Sequence, residues 1–412
     1  MEEGNNNSIE VPFHFLCPIS LQLMRDPVTV STGITYDREN IERWLFTCKN
    51  TTCPVTKQSL LVSADLTPNH TLRRLIQSWC TLNAFERIPT PKSPIDKTQI
   101  VKLLDEAKSF PNKHNQCLAR LRSIACQSER NKNCLEEAGA IEFLISLMKK
   151  KKKKSEPSST TALETAIEVL FHFKGSETRL RNLMKEEDSD VVIESLVRVL
   201  KCGNNKSRAH ATILLDSLLE VADPIQLVSL KTELFREVVN VLRDHHKISQ
   251  QASKAALKLL VETTPWGRNR IKAVDGGAVS TSIELLLGSF ERRGCELIMT
   301  LLEQLCGCAE GRAELLKHGA GVAVVSKKIL RVSHLANEKA VRILSSISRS
   351  SANSRVLNEM SQVGVVAKLC LVLQVETSFK TKEKAKEVLK LHSRVWKNSS
   401  CIPPHLLSSY PS

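Results

Sequence analysis

One pattern constrains this chain more than any other: a charged helical stretch, a break at small residues, and an apolar stretch closing on a long aliphatic side chain, repeated along most of the sequence. The clearest copies read NCLEEAGAIEFLISLM (133–148), RIKAVDGGAVSTSIELLL (270–287), RAELLKHGAGVAVVSKKIL (312–330) and RVLNEMSQVGVVAKLCLVL (355–373). Two degenerate copies end at Leu200 and Leu242. The closing residues Met148, Leu200, Leu242, Leu287, Leu330 and Leu373 are spaced by 52, 42, 45, 43 and 43 residues. A unit of that size cannot bury its own apolar face, so the copies must stack on one another. The long interval contains Lys149 to Lys154 and a Ser/Pro stretch, which reads as an insertion in a solvated loop. Residues 96–395 are therefore expected to form an all-α solenoid of about six repeats.

Periods of roughly 40–47 residues are those of armadillo and HEAT arrays. Gly139, Gly277, Gly319 and Gly364 fall where one helix must end tightly before the next begins. Between the copies lie longer amphipathic helices, such as AHATILLDSLLEVA and QQASKAALKLLVETT. An aromatic content of 4% suits this Leu- and Ala-rich packing better than a β-sandwich. The main binding-only alternative, an import adaptor, resembles a groove lined by Trp-x-x-x-Asn ladders. Within the repeats the only tryptophan is Trp266, and Asn269 follows it at the wrong spacing.

Met1 to Glu10 is acidic and Asn-rich, with neither the basic nor the apolar region of a secretory signal. No run of apolar residues is long enough to span a membrane. The 13 cysteines are scattered and read as reduced residues rather than a disulfide framework. Cytosol is the expected compartment, with the nucleus second. The net charge of +15 admits an acidic partner. Its cations are dispersed and no aromatic stacking platform accompanies them, so nucleic acid is not expected. Association with further copies of the chain stays open.

Residues 11–85 are mixed and compact, and 86–95, with Pro89, Pro91 and Pro94, read as an extended linker. The tail 396–412 is expected to be poorly ordered. Val28 and Val30 alternate with polar residues after Asp26-Pro27, Thr32-Gly33 turns, and Ile34-Thr35-Tyr36 returns: a hairpin. Asp37 is placed to cap a helix whose face is Ile41, Trp44, Leu45 and Cys48. Asn69 is placed to cap another with Leu72, Leu75, Ile76 and Trp79. The order loop, hairpin, helix, loop, helix describes a small α+β module.

CPISLQLMRDPV, GITYD, the IERWL helix, CPVT and LTPNHTLRRLIQSW resemble the U-box family of ubiquitin ligases. With the repeats appended, the whole chain is similar to the plant U-box–armadillo ligases. The resemblance implies a RING-like backbone without zinc. The residues agree with that implication. Two tetrahedral zinc sites need eight Cys or His ligands, mostly in close pairs. Here only His14, Cys17, Cys48, Cys53, His70 and Cys80 qualify, with no Cys-x-x-Cys. Hydrogen bonds and ion pairs must hold the loops instead, with Arg25, Asp26, Asp37, Arg38 and Glu39 as candidates. No cofactor is expected. Cys17 and Cys53 sit in Cys-Pro dipeptides among apolar neighbours and read as buried side chains rather than nucleophiles.

The resemblance also implies a role. Ile19 and Leu21 from the first loop, Trp44 from the helix and Pro54 from the second would grip a ubiquitin-charged conjugating enzyme. A protein substrate would lie on the armadillo groove, in immune or stress signalling. Lys57 stands where many such ligases carry an arginine that bridges enzyme and ubiquitin. From the residues alone, Trp44, on the apolar stripe of its helix, reads as core before it reads as contact. A scaffold whose U-box has decayed is the alternative function, and the intact apolar Ile19, Trp44 and Pro54 argue against it.

Overall fold

The structure is a computed structural model that describes residues 11–48, 50–60, 66–83, 96–110, 113–149, 157–173, 180–181, 184, 189–288 and 290–396. The linker at 86–95, the lysines at 150–154 and the tail beyond Trp396 lie outside the described residues. Contacts divide the chain into two units, Met1–Leu144 and Ile145–Ser412.

In the first unit, β1 (Pro27–Thr29) pairs antiparallel with β2 (Thr35–Asp37), Val28 opposite Tyr36. A third strand, β3 (Thr67–Pro68), pairs with the other edge of β1. Gly33 turns the hairpin at φ 82°, a left-handed angle that side chains other than glycine rarely adopt. Helix α1 (Arg38–Glu42) runs into a π-helical segment, Arg43–Thr47. Helix α2 (His70–Leu82) begins at Asn69, whose side chain accepts the Leu72 N–H at 3.0 Å. Met24, Val28, Tyr36, Ile41, Leu45 and Ile76 form the core, none more than 7% exposed. Each such side chain contributes about 1.5–3 kcal/mol of apolar burial.

Three local expectations fail here. Asp37 precedes α1 but makes no capping bond, because its carboxylate turns back to the loop before β1. Cys48 is exposed, since the wider π segment shifts the phase of the helix face. Leu75 is 54% exposed, leaving Ile76 and Cys80 as the buried residues of its helix.

Beyond this module the chain is helical: α3 (Lys97–Ser109), α4 (His114–Ala125) and α5 (Glu129–Glu137), then α6 (Ala140–Lys149), which contains the unit boundary. The second unit continues with α7 (Pro157–Phe171), α8 (Ser189–Cys202), α9 (Asn205–Glu220) and α10 (Pro224–Ser229). Next come α11 (Thr232–Arg243), α12 (Gln250–Thr263), α13 (Asn269–Asp275), α14 (Ala278–Leu287) and α15 (Arg292–Leu305). The last are α16 (Ala309–Lys317), α17 (Gly321–Lys328), α18 (His334–Ser350), α19 (Ser354–Gln362), α20 (Val365–Gln374), α21 (Phe379–Leu391) and α22 (Ser393–Trp396). Two shorter helices and one long one make each complete repeat. The long helices α7, α9, α12, α15, α18 and α21 pack side by side in that order. Ion pairs join successive long helices, as in Lys206–Glu168 at 3.1 Å and Lys339–Glu303 at 3.3 Å.

Gly277 and Gly364 take the expected left-handed turns, at φ 86° and 74°. Gly319 does not, and beside it the Ala320 N–H donates to His318 Nδ1 at 3.2 Å. The closing leucines mark the period but not the core throughout. Leu287 and Leu330 are 53% and 40% exposed, and Leu286 and Ile329, one residue earlier, are buried in their place. No single described helix is long and apolar enough to cross a membrane.

Candidate functional site

Residues Cys17–Gln22 and Cys53–Gln58 are two copies of one turn. In each, the cysteine N–H donates to the glutamine carbonyl at 2.8 Å, and the cysteine carbonyl accepts from Leu21 or Lys57 at 2.8 or 2.9 Å. Short antiparallel bridges flank both, Leu16 with Leu23 and Thr52 with Ser59. Leu21 and Lys57 occupy the same position and the same left-handed backbone, φ 55° and 60°. That conformation costs a non-glycine residue about 1–2 kcal/mol. The repeated Cys-Pro-x-Ser/Thr-x-Gln is visible in the sequence, yet its equivalence escapes a linear reading. It pairs Ile19 with Val55, a residue that sequence reasoning missed.

Both loops are organised around sulfur. Cys17 Sγ accepts from the Asp37 N–H at 3.3 Å and from Asn40 Nδ2 at 3.6 Å. Asn40 also donates to Ser20 Oγ at 3.0 Å, tying the loop to α1. Cys53 Sγ accepts from the Thr32 hydroxyl at 3.3 Å and the Thr56 N–H at 3.5 Å, and lies 3.0 Å from the Tyr36 hydroxyl. That hydroxyl also accepts the Val55 N–H at 3.3 Å. Burial pushes the Cys53 thiol up, but the donors Thr32, Thr56 and Tyr36 outweigh it and bring it to about 6. Burial, and next the bond to Cys53, hold the Tyr36 phenol far above its usual range.

The carboxylate of Asp37 accepts the Arg25 and Asp26 N–H groups at 2.8 and 2.9 Å, and Arg38 Nε donates to Asp26 at 2.6 Å. Arg25 thus contributes its backbone, and Glu39 makes no side-chain bond among the described residues. No group of three metal-ligating side chains occurs among the described residues. Cys17 and Cys53 are fully buried, offering no nucleophile to a substrate.

The expected docking residues lie on the two loops and on the helix that borders the core. Trp44 Nε1 donates to the Thr52 carbonyl at 2.8 Å, fastening the helix to the second loop. Ile19 and Trp44 are half-buried against the core, and Pro54 is half-buried in the second loop. Leu21 and Val55 are 74% and 52% exposed. Such apolar exposure at two loop tips is unfavourable unless a partner covers it. Lys57 is exposed and makes no side-chain bond among the described residues. In the repeats, Asn269 Nδ2 donates to the Leu227 and Thr263 carbonyls at 2.6 and 3.1 Å. It fastens one repeat to another rather than lining a peptide ladder.

A small α+β module with paired loops, carrying an armadillo solenoid, is the class that fold and site define. The chain matches the U-box domain model over residues 11–84 and the plant U-box protein ARM repeat region over residues 99–412. It is 54% identical to E3 ubiquitin-protein ligase PUB23 of Arabidopsis thaliana, covering 98% of each chain. It is 51% identical to PUB22 of the same plant, over 99% of this chain and all of that one. A solved structure concerning the interaction between cadherin and beta-catenin superposes with TM-score 0.57 at 14% identity, covering 78% of this chain and 58% of that one. That likeness is one of fold. The chain belongs to the plant U-box–armadillo family of E3 ubiquitin-protein ligases, and is a ubiquitin transferase.

Proposed function

We propose that the two loops and the helix between them dock a ubiquitin-charged conjugating enzyme, and that the armadillo repeats hold the protein substrate, in plant immune or stress signalling. A substrate lysine then attacks the thioester that links ubiquitin to the conjugating enzyme. The ligase supplies no acid, base or nucleophile. It raises the effective concentration of the two reactants and restrains the donor in a reactive pose.

The observation that carries the docking reading is Leu21, a large apolar side chain held 74% exposed on left-handed backbone. Stability alone favours glycine there, since glycine adopts this angle without strain. Leu21→Gly is therefore expected to leave the melting midpoint unchanged or raise stability by up to about 1 kcal/mol. Discharge of ubiquitin from a charged conjugating enzyme onto free lysine should fall about tenfold, the loss of one contact side chain. Discharge at the wild-type rate would remove Leu21 from the groove.

Lys57 occupies the same place in the second loop. A bridge to donor ubiquitin needs several hydrogen bonds in fixed directions, which a planar guanidinium supplies better than a flexible ammonium. Lys57→Arg should speed single-turnover discharge about three- to tenfold, requiring about 0.7–1.4 kcal/mol of transition-state stabilisation. Affinity for the uncharged conjugating enzyme should barely move. Equal rates for wild type, Lys57→Arg and Lys57→Ala would make this lysine a spectator.

A further inference from the structure

A cleft of about 1250 Å³ opens between the last three long helices α15, α18 and α21, with Arg312 of α16 in its wall. Seven cationic side chains line it against four carboxylates. Three of those carboxylates are already engaged. Glu303 meets Lys339 and Arg342, Glu338 meets Arg342, and Glu387 meets both Arg349 and Lys384. The excess of positive charge is therefore left facing the cleft.

Arg312 is set apart from the other cations. Its Nε donates to Ser351 Oγ at 3.1 Å and its Nη1 to the Cys306 carbonyl at 3.1 Å, so the guanidinium is held by two neutral acceptors. Among the described residues it forms no ion pair. Ser346 donates to the same Cys306 carbonyl at 2.9 Å, bringing a hydroxyl beside the guanidinium. A fixed, half-buried arginine without a counter-ion is arranged to receive one, with little ordering left to do on binding. At the α21 edge, Phe379 and Leu391 are 77% and 51% exposed and offer apolar contact.

We propose that this cleft binds an acidic, extended polypeptide segment, with carboxylates against Arg312 and its neighbours and an aliphatic residue on Phe379 or Leu391. This rests on the reading of the repeats as the substrate holder and names the chemistry of what they hold. Three long helices packed about 8–10 Å apart span about 20 Å, which about six to eight extended residues cross. Nucleic acid is the weaker match, since one exposed ring provides no series of stacking platforms.

The test uses the full chain and fluorescent peptides of about eight residues: one rich in Asp and Glu with a single Leu, its Asn/Gln counterpart, and a Lys-rich counterpart. A single-stranded DNA of similar length is the fourth probe. The acidic peptide should bind about tenfold more tightly than the neutral one at low salt. That gap should close near 1 M salt, where screening acts within about 3 Å. Lys380→Glu, at an exposed position, should weaken acidic binding several-fold without moving the melting midpoint, and Arg312→Gln should weaken it about tenfold. No preference for the acidic peptide, or tighter binding of the DNA or the Lys-rich peptide, overturns the proposal. So does acidic binding that neither substitution affects. Fusing the acidic segment to a lysine-bearing carrier separates the two claims. Ubiquitination of that carrier supports both, whereas tight binding without it upholds the cationic cleft and removes the substrate-holding role.

Discussion

Replacing Ile19 by alanine is expected to slow discharge of the charged conjugating enzyme about ten- to a hundredfold, the effect of losing a contact worth about 1–3 kcal/mol. Ile19 is half-buried at the edge of the core, so the same change should destabilise the module by no more than about 1 kcal/mol. Trp44 differs, because its ring packs on the core while its N–H holds the Thr52 carbonyl. Trp44→Ala should lose activity and also about 2–3 kcal/mol of stability, less than the 3–5 typical of a wholly buried ring. Trp44→Phe should recover most of the packing while leaving the Thr52 carbonyl without that donor. Discharge rates and denaturant midpoints for the three variants decide the matter. A fully active Ile19→Ala protein would show that the first loop is not the docking surface. A Trp44→Ala protein that loses stability in step with activity, while Ile19→Ala keeps its rate, would make the tryptophan core alone.

The second large effect is a pH dependence of stability centred on Cys53. Its thiol titrates near 6 in the fold and near 9 when unfolded. A group lowered by folding stabilises fully above its unfolded value, and that stabilisation disappears as pH falls through the folded value. Stability of the module should therefore rise from pH 6 to pH 9. Three pH units correspond to about 4 kcal/mol at most, and about 2–4 is the expected range. The comparison of interest is between wild type and Cys53→Ser, which cancels the titration of groups elsewhere, including Asp216, raised by burial to about 6. The difference between the two curves should grow with pH. Tyr36→Phe, which deletes one donor to the sulfur, should flatten the wild-type slope without abolishing it. Parallel curves for wild type and Cys53→Ser would mean that the thiol stays protonated throughout.

The solenoid was legible because its period survives substitution: a helix face needs only apolar residues at the right intervals. The same logic placed the hairpin around Gly33 and the cap at Asn69. It failed where the outcome depends on what meets what across the fold. β3 is two residues long and exists only because β1 has an open edge. The side chain of Asp37 had a choice between its own helix and the loop at Arg25 and Asp26, and nothing local decides that choice. Cysteine as a hydrogen-bond acceptor was invisible for a similar reason. Cys53 acquires its donors from residues as distant in sequence as Thr32, which only the closed hairpin delivers. Trp44, readable as core or contact from spacing alone, packs half-buried on the core, and spacing could not show that its N–H holds the second loop.

The order in which the long helices pack has a consequence for how a bound segment would be felt. α18 has a long helix on either side, whereas α21 has α18 on one side only among the described residues. In a stack held by nearest neighbours, the last member is the first to fray. The outer wall of the cationic cleft therefore stands on a long helix at one end of the row, as α7 stands at the other. An occupant reaching from α15 to α21 would add contacts to that helix beyond those made by the described residues, spending part of its affinity on order rather than on retention. Recognition at this end of the array would then be inseparable from completing the fold, and the array would be stiffest when loaded.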